Sequence, residues 1–275
     1  MKAPGRQLTG HHGVPRVWKG KAVNAFPSPV PIAGTKIIVT GAAGGVGSAL
    51  MAALAELECE AIGIDRPEAI DSVHEGDRLI AADLADPESA LHAVHAAIRR
   101  LDGLDGLVGA AAAVATIHRS HNFPAAAFRD DVATNLLSQF WTAQAAYQAL
   151  AVSAAASVVM LSSTGALDGL PGQASYAASK AGILGLVRTL AAEWADTNIR
   201  VNAVVPGLIA TPKVLAMPED IRRRALAQVA LGRLVSLDEI VASIAFLLSP
   251  AAGAITGQHL RVDAGAGLNT VGLHR

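Results

Sequence analysis

The sequence predicts an α/β protein built on one doubly wound parallel sheet of about seven strands. Three observations carry that reading. Strand-like and helix-like segments alternate from residue 36 onward, the strand-like segments are apolar on both faces, and a glycine-rich turn joins the first strand to the first helix. A strand apolar on both sides needs cover on both sides, and helical crossovers between parallel strands supply it.

The elements follow in order. Residues 36–40 (KIIVT) form a short β-branched run that ends in glycines, and 46–57 is an alanine-rich helix. Strands are expected at 61–65 and 78–82, then a helix over 87–101 that opens with proline in its first turn. A fourth strand covers 104–111, a long helix 131–152, and a fifth strand 157–162. A helix over 174–194, a strand over 200–205, a helix over 236–248 and a last strand over 259–262 complete the pattern. Residues 1–34 differ: they hold Lys2, Arg6, Arg16, Lys19 and Lys21, no acidic residue, and Pro4, Pro15, Pro27, Pro29 and Pro31. That density of proline argues for an arm, with the domain proper over 35–275.

Composition narrows the function. The 275 residues carry 22 basic and 23 acidic side chains, a formal charge of −1, so no broad basic field exists to hold nucleic acid. Hydrophobic types make up 52% and the mean hydropathy is +0.39, far too apolar for disorder. From Val132 to Leu167 there is no charged residue, yet Asn135, Gln139, Gln144, Gln148 and several serines interrupt the run. A buried helix followed by a buried strand is expected there, not a membrane span. Residues 1–34 contain no continuous apolar core, so no secretory signal is read. The single cysteine, Cys59, suits a reducing cytoplasm and excludes a cysteine metal site.

The turn Thr40-Gly41-Ala42-Ala43-Gly44-Gly45-Val46-Gly47 lets the backbone bend sharply and approach a pyrophosphate, with free N–H groups at the helix N-terminus. Asp65 ends the second strand eighteen residues after Gly47. It reads either as a ribose acceptor that repels a 2′-phosphate or as a turn residue before Pro67. Asp83 reads equally as an adenine acceptor or a turn cap. Tyr176 and Lys180 are four apart in a helical segment and so share a face. An ammonium there is expected to lower the pKa of the phenol and make it a usable acid/base. Ser163 ends a buried strand, where its hydroxyl can meet a substrate oxygen.

These residues, taken with Asn135, Pro206-Gly207, Thr211 and Val262-Asp263, resemble the short-chain dehydrogenase/reductase family over residues 36–265. The resemblance implies a Rossmann-like single domain and a role for each residue. Tyr176 would be the acid/base, Lys180 would lower its pKa and hold the nicotinamide ribose, and Ser163 would place the substrate oxygen. Asn135 would hold a water in a proton relay. Gly41, Gly44, Gly45, Val46 and Gly47 would bind pyrophosphate, Asp83 and Leu84 would flank adenine, and Pro206, Gly207 and Thr211 would meet the nicotinamide. One departure stands out. The family's fourth strand usually ends Asn-Asn-Ala-Gly, whose side chains brace the adjacent strand and cofactor region, and this chain has Gly109-Ala110-Ala111-Ala112. Backbone contacts at Ala110 survive that change.

The expected activity is interconversion of a secondary alcohol and a ketone on an apolar small molecule, because residues 208–217 and 164–173 around the site are mostly apolar. Asp65 favours NAD(H) over NADP(H). The alternatives are a non-catalytic cofactor sensor and a 3-oxoacyl-carrier reductase-like enzyme using NADPH. A hydrolase is disfavoured because Leu161-Ser162-Ser163-Thr164-Gly165 lacks the leading glycine of a nucleophile elbow. A halohydrin-dehalogenase-like lyase is disfavoured because the glycines and Lys180 are present. The pairs His92/His95 and His118/His121 are expected to be exposed rather than metal ligands. The helices over 131–152 and 174–194 are apolar nearly all round, which points to a homodimer or homotetramer.

Overall fold

A computed structural model describes residues 27–70, 78–114 and 117–268. The strands are β1 (Lys36–Thr40), β2 (Glu60–Asp65), β3 (Leu79–Ala81), β4 (Gly106–Gly109), β5 (Ser157–Leu161), β6 (Arg200–Pro206) and β7 (His259–Val262). The helices are α1 (Gly45–Glu56), α2 (Pro67–Ile70), α3 (Pro87–Leu101), α4 (Ala125–Val132), α5 (Ser138–Leu150), α6 (Gly165–Asp168), α7 (Ala174–Glu193), α8 (Pro212–Leu215), α9 (Glu219–Leu226) and α10 (Leu237–Leu248). All seven strands pair in parallel, in the order β3-β2-β1-β4-β5-β6-β7.

The chain lays down β1, β2 and β3 in one direction and then returns to place β4 on the far side of β1. Crossovers after β1 and β4 therefore diverge, and a crevice opens outside their carboxyl ends. Two apolar layers cover the sheet. On one face α3, α5 and α7 pack over Ile38, Leu107, Val158 and Val201. On the other, α1 and α10 pack over Ile37, Val39, Val159 and Val204. β5 is buried at all five positions, as a central strand covered twice must be.

Local chemistry sets the helix ends. Asp86 accepts a hydrogen bond from the Ser89 N–H with Pro87 in the first turn of α3, and Ser236 and Glu239 form a reciprocal capping box on α10. Among the described residues no helix is long and apolar enough to cross a membrane.

Three expectations change. The strand expected over 104–111 is paired only over Gly106–Gly109, because its neighbour β1 leaves the sheet at Gly41 and the ladder ends with it. The helix expected over 131–152 begins earlier, at Ala125, and is interrupted by a π-turn at Ala133–Leu137. Such wide turns have no compositional signature. Helices α2, α6, α8 and α9 lie in stretches for which the sequence predicts no helix. Of the expected arm, residues 1–26 lie outside the described residues. Its end packs on the domain, with Ala251 N–H donating to Ser28 O and Gly34 N–H to Glu58 O.

Candidate active site

The crevice at the carboxyl ends of β1, β4, β5 and β6 gathers the residues singled out above. At its centre is the turn from β1 to α1. Gly41 has φ +68°, and a Cβ there would lie 2.6 Å from the Ala111 backbone. A Cβ on Gly47 would overlap Gly41 O and lie 2.8 Å from Ala42 Cα. Both glycines are thus required for the turn to close against β4. Helix α1 opens at Gly44 without a side-chain cap and with no acidic residue in its first turn. Its N–H groups and dipole remain available to an anion, which fits a pyrophosphate.

Two cavities flank this turn and share Gly41, Gly44, Ala110 and Ala112. The first, about 190 Å³, is lined by Asp65, Arg66, Asp83, Leu84 and Thr134 among others. The second, about 230 Å³, is lined by Gly45, Val46, Gly47, Ser163, Tyr176, Lys180, Pro206, Gly207 and Thr211, with Ser162 behind. One elongated cleft with an uncapped helix end at its middle and a carboxylate at one end fits a dinucleotide. Asp65 bonds the turn, as one of its two readings expects: Oδ2 accepts from Ala43 N–H at 2.9 Å and Oδ1 from Arg66 N–H at 2.8 Å, and the carboxylate also lines the cavity. Asp83 likewise accepts from Ala85 N–H at 3.0 Å and lines the same cavity.

At the other end, α7 carries Tyr176 and Lys180 one turn apart. Lys180 is fully buried; its Nζ donates to Leu161 O at 2.8 Å and lies 5.7 Å from the Tyr176 ring centre. Burial brings its ammonium down to about 7. Burial also pushes the Tyr176 phenol up from its ordinary value, against which the Ser163 hydroxyl pulls. This corrects the expectation that the ammonium holds the phenol down. Desolvation is the first cause for both groups, and on the phenol it outweighs the hydrogen bond from Ser163.

The two adjacent serines divide cleanly. Ser162 is buried and donates to Lys180 O at 2.7 Å, which ties β5 to α7. Ser163 accepts from Gly165 N–H at 3.1 Å and faces the cavity beside Tyr176. Asn135 is fully buried in the π-turn. Its Oδ1 accepts from Ala113 N–H at 3.0 Å, and its Nδ2 donates to Ala113 O and Asp131 O, each at 2.9 Å. Its side chain is therefore committed to backbone and braces the wall at Ala113. Thr211 caps α8, accepting from Val214 N–H. Lys213 on α8 reaches Val114 O at 3.4 Å and so ties the segment after β6 to the segment after β4.

Sequence reasoning missed three residues. Asp131, buried at the head of the uncharged run, accepts from the hydroxyl of Ser175, the residue before Tyr176. Gln139 donates to Gly109 O at 2.9 Å. An acid bordering a long uncharged run, and a glutamine among alanines, were the available signals. Of the histidines, His118 packs edge-on against Phe123, and no group of three His, Cys, Asp or Glu among the described residues is arranged to hold a metal.

Comparison with known proteins says which family this fold and crevice belong to. A family model described as enoyl-(acyl carrier protein) reductase matches residues 41–267. The chain is 32% identical over 237 residues to a 3-oxoacyl-(acyl-carrier-protein) reductase of Vibrio cholerae, covering 84% of this chain and 97% of that one. It is 46% identical over 109 residues to the enzyme of that name from Thermotoga maritima, and 40% identical over 135 residues to a (3R)-3-hydroxyacyl-CoA dehydrogenase of Rattus norvegicus. Those two matches cover 40% and 49% of this chain, and about half of each relative (44% and 52%). A solved structure described as a short-chain alcohol dehydrogenase from Sinorhizobium meliloti superposes with a TM-score of 0.78 at 33% identity, covering 86% of this chain and 97% of that one. The chain belongs to the short-chain dehydrogenase/reductase family.

Proposed function

We propose that the protein interconverts a secondary alcohol and a ketone, using NAD(H) in preference to NADP(H). The observation that carries this reading is the meeting of Ser163, Tyr176 and Lys180 in a cavity continuous with the uncapped start of α1 and with Asp65. The nicotinamide ring supplies or accepts the hydride when bound. In reduction the Tyr176 hydroxyl gives its proton to the substrate oxygen, and in oxidation it takes that proton back. Ser163 donates a hydrogen bond to the same oxygen and fixes it opposite the phenol. Burial keeps Tyr176 protonated across neutral pH, ready to act as the acid for a ketone. Lys180, titrating at about 7, holds a proton that it can return to the phenol near neutrality. Asn135 and Asp131 act at one remove, the first on the wall at Ala113 and the second on Ser175.

Leu167, Leu170 and Leu215, in the segments that follow β5 and β6, are exposed, which favours an apolar substrate. A second reading, a 3-oxoacyl thioester, is favoured by an open cavity of about 790 Å³ bordered by Arg119, His121, Leu170 and Ala177, which suits an apolar chain with an anionic carrier. The names of the relatives support the same reading. The protein is expected to be cytoplasmic, where the buried Cys59 thiol, pushed up in pKa by its burial, stays reduced. A dimer or tetramer through α5 and α7 would cover Phe128 and Leu137, which are more than a third exposed. The arm over 1–34 is expected to serve assembly rather than chemistry. The test is a panel of apolar secondary alcohols, ketones and 3-oxoacyl thioesters, each with both cofactors, followed by near-ultraviolet absorbance, with Tyr176→Phe alongside. The wild type should turn over at least one class and the variant should lose about 10²–10⁴-fold. Turnover by the variant at the wild-type rate would defeat the assignment.

A further inference from the structure

We infer that Gln139 has taken over the bracing role of the family's strand-end asparagine and positions the wall of the cofactor cleft. The inference rests on the nicotinamide reading above. Strand β4 ends in Gly109-Ala110-Ala111-Ala112, which offers no polar side chain. The space that a side chain at 109 would fill is nevertheless occupied. A Cβ built on Gly109 would overlap the Gln139 Oε1 and lie 2.8 Å from its Cδ. The glutamine arrives from α5 and is only 2% exposed. Its Nε2 donates to Gly109 O at 2.9 Å and to Ala111 O at 3.4 Å.

One turn earlier on the same helical element, Asn135 holds Ala113 through both its backbone groups. The two amides thus hold the wall at residues 109, 111 and 113. The residues between, Ala110 and Ala112, line both cavities of the cleft. Ala111 and Ala113 line the first cavity as well, so backbone bonds at 109, 111 and 113 fix a stretch that is cleft wall throughout. The glutamine Oε1 is buried with no partner. Space-filling alone would be served by an apolar side chain with no stranded acceptor, so the amide is retained for its N–H groups.

The experiment measures binding of the reduced cofactor by fluorescence, and melting of the cofactor-free protein, for Gln139→Val, Gly109→Asn and the double variant. Gln139→Val should weaken cofactor binding by about tenfold while kcat at saturation and the pH profile stay close to wild type. Gly109→Asn alone should melt lower and bind more weakly, because two amides compete for one space. The double variant restores an amide at 109 in emptied space, and should recover cofactor binding to within about threefold of wild type and melt above Gly109→Asn. Wild-type cofactor affinity in Gln139→Val, or losses in the double variant that equal the two single losses combined, would overturn the inference. If Gly109→Asn does not fold, rescue by Gln139→Val is then read as recovery of folded protein, and failure to rescue counts against the pairing. A wild type that binds no reduced nicotinamide cofactor would instead refute the proposed function, and the melting comparison would still decide the pairing.

Discussion

Replacing Lys180 with methionine should abolish turnover and, in the same molecule, stabilise the cofactor-free protein at and below neutral pH. Methionine keeps an unbranched stem of similar length and removes the ammonium. In the folded chain that ammonium is fully buried, has one hydrogen bond to Leu161 O, and titrates at about 7 instead of 10.5. The unfolded chain holds the proton up to about 10.5, so between those values it binds more protons than the native state and stability rises with pH. Below about 7 both states are charged and the whole penalty is present; above 10.5 neither is, and it vanishes. At about 1.4 kcal/mol per tenfold the gap is worth on the order of 5 kcal/mol. The lost bond to Leu161 O subtracts about 1 kcal/mol at every pH. The variant should therefore be more stable by about 4 kcal/mol in mild acid and less stable by about 1 kcal/mol in strong base. Urea midpoints of both cofactor-free proteins, taken across that range at one protein concentration, measure the difference. Parallel curves, or a wild type more stable in acid, would show that the ammonium is not desolvated as the structure places it.

Three further outcomes are expected. Ser163→Ala should lose about 10²-fold in kcat with an unchanged melting temperature, while Ser162→Ala should lose about 0.5–1.5 kcal/mol of stability with its bond to Lys180 O, and keep most of its rate; kinetics and melting on both variants separate them. Asp65→Ser should narrow or reverse the ratio of kcat/KM for NAD(H) over NADP(H), since a carboxylate about 4 Å from a phosphate opposes it by up to about 4 kcal/mol before screening; a wild type that already prefers NADP(H) would remove the basis for this. Ketone reduction should be independent of the Tyr176 ionisation through neutral pH and fall only in strong base, because burial raises that phenol above its ordinary value; a pH–rate profile of kcat/KM checks it.

The positions of the strands were legible because β1, β5 and β6 carry short apolar runs, broken inside β6 only by Asn202, and burial on both faces favours that composition. Helix starts were legible where the residue type marks them, as with Pro87 in the first turn of α3 and Ser236 at the start of α10. The π-turn at Ala133–Leu137 was not, because an alanine–threonine–asparagine–leucine stretch fits an ordinary α-turn equally well and tertiary packing decides between them. At the site, Tyr176, Lys180 and Ser163 could be placed from spacing, since a four-residue interval on a helix and a strand end fix direction. What Asn135 and Gln139 bond to could not. Their partners are backbone groups on β4 and the segment after it, 22 to 30 residues away in sequence, and backbone carries no residue code.

The bond from Ala43 N–H to Asp65 Oδ2 bears on any attempt to redesign which cofactor this protein accepts. The carboxylate proposed to discriminate between two cofactors is also a strut of the glycine turn. Exchanging it for an apolar or cationic residue would change selectivity and loosen the platform together, so a poor switch could be mistaken for a wrong choice of position. Asparagine, which keeps an oxygen acceptor at the same reach, separates the two effects. The sequence of changes in an engineering campaign should then begin with the acceptor and only afterwards recruit Arg66, which already lines the same cavity, as the new counter-charge.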